Sequence, residues 1–81
     1  MIEWKPDQYG PGQTLELSRI LFLYITMKMD NSEKYTASVF GAKLKTEYDN
    51  ADDAKLAAVV QAEKTLKFAL INLENRTENK Q

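Results

Sequence analysis

The alternation from Thr14 to Met29 restricts the fold more than any other stretch of the chain. Its odd positions are Leu15, Leu17, Arg19, Leu21, Leu23, Ile25, Met27 and Met29, apolar at all but one. Successive strand residues face opposite sides, so a register of this kind lays one apolar face on a core. The even positions are polar at both ends, yet Ile20, Phe22 and Tyr24 lie between them. Leu17, Leu21, Tyr24 and Ile25 also recur at helical spacing, so a helix competes for the segment. Its β-branched and aromatic residues fit a pleated surface better, and a strand is expected.

Around this strand the chain reads as a small sheet. Ile2 to Lys5 is a short candidate strand stopped by Pro6, and Tyr9-Gly10-Pro11-Gly12 is a loop dense in turn formers. Asp30-Asn31-Ser32-Glu33 is a polar turn into a second alternating run, Lys34 to Tyr48. The two runs make a long antiparallel hairpin. In the second run Tyr35, Ala37 and Val39 share one register. After Phe40-Gly41 the apolar positions move to Ala42 and Leu44, a slip by one at a glycine that reads as a β-bulge.

The last element is a helix. Asp49-Asn50 leads into an alanine-rich run with Asp52 and Asp53 in its first turn, where carboxylates meet the positive helix end. From Ala51 to about Asn75 there is no proline or glycine. Leu56, Val59, Val60, Leu66, Leu70 and Leu73 fall in one broad apolar stripe. Glu63 and Lys67 form an i,i+4 pair at its solvated rim. Phe68 lies off the stripe, near Ile71. The expected fold is α+β, a three-stranded antiparallel sheet in the order β-β-β-α packed against one long C-terminal helix. Residues 1–74 form a single domain, followed by a polar, frayed tail at 75–81.

Composition narrows the chemistry. The 81 residues contain neither histidine nor cysteine. That removes Ser-His-Asp and Cys-His nucleophile pairs and ordinary zinc sites. The three glycines match no phosphate-binding loop. No catalytic activity, cofactor or metal is therefore expected. The acidic cluster Glu47, Asp49, Asp52 and Asp53 could hold a hard cation such as Mg²⁺ or Ca²⁺, but helix capping accounts for it more simply. The net charge of -1 lacks the basic excess of a duplex binder. A cysteine-free chain opening on Met1-Ile2-Glu3-Trp4-Lys5, with no apolar run long enough to span a bilayer, suggests a cytoplasmic protein and no membrane.

Function then rests on surfaces. One helix covers one face of a sheet, which leaves Ile20, Phe22 and Tyr24 facing outward, either as an interface or beneath the N-terminal segment. Trp4 and Tyr9 are expected beside them, and Phe68 with Ile71 forms a second candidate ridge or dimer contact. These seven residues are the expected partner-binding set, for another protein or a second copy of the chain. The alternative is a nucleic-acid module stacking bases on Tyr24, Tyr35 and Phe40, with Lys28, Lys34, Lys43 and Lys45 on phosphates.

The run from Tyr35-Thr36-Ala37-Ser38-Val39-Phe40 through Leu44-Lys45-Thr46-Glu47-Tyr48 into Ala51-Asp52-Asp53-Ala54-Lys55 resembles small phage and mobile-element proteins of the anti-CRISPR or anti-defence type. The resemblance is one of size and layout and covers about half the chain. It implies a non-enzymatic inhibitor that occludes a partner's surface in the host cytoplasm. The strand–helix ending also resembles that of a double-stranded RNA-binding domain, but Asp52 and Asp53 stand where that domain carries basic residues and would repel phosphate.

Overall fold

Two hairpin turns subdivide the strands expected from the sequence. The computed structural model describes residues 3–30 and 32–78. Its elements are β1 (Lys5–Pro6), β2 (Gln13–Glu16), β3 (Phe22–Met27), β4 (Tyr35–Val39), β5 (Ala42–Lys43) and α1 (Ala51–Glu78). The strands form one antiparallel meander in the order β1-β2-β3-β4-β5. The α+β class and the long C-terminal helix are as expected, but the sheet has five strands where three were expected.

The first additional turn lies inside the Thr14–Met29 alternation. Leu17 and Ser18 donate their backbone N–H groups to the Leu21 carbonyl at 2.9 and 3.1 Å. Leu21 N–H in turn donates to Ser18 Oγ at 3.2 Å. Pairing is Leu15 with Leu23 and Glu16 with Phe22. An odd-length connection keeps odd residues opposite odd residues, so the apolar register passes through the turn unbroken and reads as one long strand.

The second turn is Phe40-Gly41, and it corrects the expected bulge. Val39 pairs with Ala42 and Ser38 with Lys43. Phe40 and Gly41 have φ of 52° and 88°, the positive pair that a two-residue hairpin turn requires. A two-residue turn exchanges odd and even positions across the pair. The same slip that a bulge produces is here a reversal of the chain.

The first strand is shorter than expected and starts at Lys5, and Pro6 is its last residue, on an edge strand where its missing N–H does no harm. Ile2, where the sequence begins that strand, and Asn31 of the expected turn lie outside the described residues. The expected β3–β4 hairpin is present, with Leu23 opposite Val39, Ile25 opposite Ala37 and Met27 opposite Tyr35.

The helix start follows its sequence signal. Asp53 N–H donates to Asn50 Oδ1 at 2.8 Å, and Asn50 Nδ2 returns a bond to Asp53 Oδ2 at 3.2 Å, which satisfies an otherwise orphan donor of the first turn. α1 packs on β3 and β4. The face it buries is Ala54, Ala58 and Ala62, against Leu15, Leu23, Ile25, Ala37 and Val39. Of the Leu56–Leu73 stripe Val59 packs against the core, while Leu56, Leu66, Leu70 and Leu73 are exposed. Alanine brings the helix backbone close to the large strand side chains, and the leucines rotate away.

Length settles the remainder. Twenty-eight helical residues span about 42 Å, whereas the six of β3 span roughly 20 Å. Every residue from Glu63 to Arg76 is exposed. The distal half of α1 thus projects past the sheet, and the longest dimension of the molecule is 56 Å. The helix also continues to Glu78, through the start of the expected tail, whose residues 79–81 are outside the described range.

Candidate functional site

The face of the sheet away from α1 carries a row through all five strands: Lys5, Thr14, Tyr24, Ser38 and Lys43. Tyr24 is half-buried there. Its hydroxyl donates to Asp7 Oδ2 at 2.8 Å, and a side chain at Gly12 would run into that hydroxyl. The Asp7 bond, then burial, holds the phenol above its ordinary pKa. The loop after β1 therefore covers the Tyr24 end of the expected patch. Phe22 remains 43 % exposed beside it, and Ile20 is 79 % exposed at the tip of the β2–β3 turn.

The other expected companions are elsewhere. The β1–β2 register places Lys5 with Thr14 on the open face, so Trp4 turns to the opposite one. There it packs against the core, with Lys55 Nζ 5.7 Å from its ring centroid, within reach of a cation–π contact. Tyr9 is in the loop, 92 % exposed, its hydroxyl accepting from Gln8 Nε2 at 3.2 Å. Ile20, Phe22, Tyr24, Trp4 and Tyr9 are thus not one surface.

The basic set is also divided. Lys28 Nζ lies 2.7 Å from Glu47 Oε2 and 3.3 Å from Asp30 Oδ2, and Lys34 pairs with Asp49. Glu47 is the main cause of the raised Lys28 pKa, and Asp49 that of Lys34. These pairs tie the β3–β4 turn to the segment leading into α1. Lys43 and Lys45 are exposed. Tyr35 and Phe40 pack against the core, so the stacking trio with Tyr24 does not share a face. With Glu47 and Asp49 paired to lysines and Asp53 on the helix cap, no group of three acidic, histidine or cysteine side chains converges on a cation position among the described residues. The expected Glu63–Lys67 contact is not among the ion pairs of the described residues.

The distal half of α1 carries the largest exposed apolar array. Phe68 is 66 % exposed and Leu70 56 %, with Leu66, Ile71 and Leu73 also open. Phe68 and Ile71, the second expected ridge, project from one flank. Leu56, Val59, Leu66, Leu70 and Leu73 lie along another, rotated about 100° from the alanine face at 100° per residue. Between the flanks, nearer the sheet, a shallow groove runs from Leu44 and Tyr48 to Leu56, Ala57 and Val60. The wheel shows the leucine stripe without saying how much of it the sheet can cover. The sequence signal that much of it stays open is the length of the helix, about twice what the strands can cover.

No helix among the described residues is long and apolar enough to cross a membrane. No family model, curated protein or solved structure matches this chain.

Proposed function

We propose that this chain is a protein-binding factor with no catalysis of its own, and that the distal half of α1 is its binding surface. The carrying observation is the uninterrupted exposure of Glu63 to Arg76 in a segment that includes Leu66, Phe68, Leu70 and Ile71. Leaving a large apolar side chain in water forgoes about 1.5–3 kcal/mol relative to burial. A contiguous array of them marks a surface that another polypeptide covers. The absence of histidine and cysteine supports a binding role over a catalytic one. The size-and-layout resemblance to anti-CRISPR proteins gives the proposal a concrete form, an inhibitor or accessory subunit that occludes a partner's working surface. The sheet face, with Tyr24 tied down by Asp7, is secondary, and Phe22 with Ile20 forms its remaining apolar edge.

Photo-cross-linking in the cell tests this. A benzophenone side chain at position 66 or 70 is expected to yield a covalent adduct with a polypeptide, and one at position 16 on the open face is not. Adducts absent from both helix positions would overturn the proposal.

A further inference from the structure

We infer that α1 pairs with α1 of a second copy of the chain, in antiparallel orientation, along Leu56, Val59, Glu63, Leu66, Leu70 and Leu73. The inference rests on the distal helix being a binding surface and names its occupant. The six positions follow one another at intervals of three, four, three, four and three, the knobs-into-holes spacing of a helix pair. The alanine face occupies the sheet and Val59 packs at its edge, so the exposed part of the seam is Leu56 and the stretch from Glu63 onward. A stripe with this spacing is complementary to itself, as a two-fold interface requires.

Glu63 selects the orientation. In a parallel, in-register pair each seam residue meets its own counterpart, and Glu63 would face Glu63 of the second copy. Like carboxylates at such close quarters repel. With the two-fold axis between Lys64 and Thr65, Leu56 lies opposite Leu73 and Val59 opposite Leu70. Glu63 then lies opposite Leu66, one residue from Lys67 of the second copy. Two symmetric Glu63–Lys67 pairs replace the repulsion, formed between copies by the residues that do not pair within one. Ala69 flanks the seam and permits close approach.

The area is that of a modest dimer. A leucine side chain offers roughly 100 Å² of apolar surface, and the seam leucines are about half exposed. Six seam positions and their flanks from two copies bring the contact to about 1,000 Å², the threshold of a specific interface. A thin core points the same way. Of the eight buried apolar side chains among the described residues, four are alanine, and small domains with little core commonly gain stability by oligomerising.

Sedimentation equilibrium over about 5–500 µM chain tests the pairing, a range that brackets micromolar association. The wild type is expected to pass from monomer to dimer. Leu66→Glu and Leu70→Glu are expected to weaken association by about 100-fold or more, the effect of burying an unpaired charge. Phe68→Glu, on the other flank, is expected to leave it within about twofold. All three lie beyond the sheet, so circular dichroism melts of the monomers confirm folding. For orientation, Asn75→Cys gives a single labelling site in a chain without cysteine. Nitroxides there are expected about 30 Å apart in the antiparallel pair, from 1.5 Å per residue on each side of the axis, and a separation under about half of that would overturn the orientation. A wild type that stays monomeric throughout overturns self-pairing, and cross-linked adducts with a different polypeptide would then leave the binding role standing. The absence of adducts as well would remove both.

Discussion

Phe40 and Gly41 adopt the same sign of φ at different cost. The left-handed region is open to glycine, whereas a side chain there meets the following carbonyl. A Cβ added at Gly41 would meet nothing within 4 Å, so Gly41→Ala isolates the backbone penalty from any clash. It is expected to lower stability by about 1–2 kcal/mol, read from chemical denaturation at unchanged slope. At the other turn, Asp30 accepts from Ser32 N–H at 3.0 Å and from the Ser32 hydroxyl. Those bonds, ahead of the Lys28 charge, hold its pKa down to about 2. A depressed carboxyl pKa contributes stability above the unfolded value of about 4 and loses it as pH falls toward the folded one. The melting-temperature difference between wild type and Asp30→Asn should therefore be largest above pH of about 4 and shrink toward pH of about 2. A difference constant across that window would refute the role of Asp30 in the turn.

At the scale of elements, periodicity carried most of the information and parity hid the rest. The odd-numbered apolar face of β3, the β3–β4 hairpin and the start of α1 at Asn50 were legible because each rests on local spacing or capping. The β2–β3 turn was not, since its odd length preserves the register; Ser18 and Arg19, a polar break in both registers, were its only trace. The Phe40-Gly41 turn announced itself as a slip, which a bulge would equally produce. For α1 the sequence revealed the stripe but not what it faces, because a wheel shows two apolar flanks without ranking them. Burial of the alanine face yields a contrast. Ala58→Leu inserts bulk at a fully buried position and is expected to cost about 1–3 kcal/mol. Leu70→Ala, a far larger deletion on the projecting half, is expected to change monomer stability by less than about 0.5 kcal/mol. Equal effects at the two sites would place the leucine stripe in the core after all.

The whole molecule is a small sheet with a helix too long for it. A segment that touches no sheet gains its order from helix propensity alone, and isolated helices of such length are marginal in water. The projecting half of α1 should therefore open readily when the chain is alone and become protected when another polypeptide covers it. The partner-binding residues expected from sequence divide accordingly: Phe68 and Ile71 are on the projecting half, Trp4 belongs to the core and Tyr24 to the loop that covers it. Amide hydrogen exchange across residues 66–76, followed as the protein concentration is raised, puts this most directly. Protection there should rise with concentration while that of β3 stays fixed. If exchange in 66–76 is the same at every concentration, the projecting helix is not where copies of this chain meet.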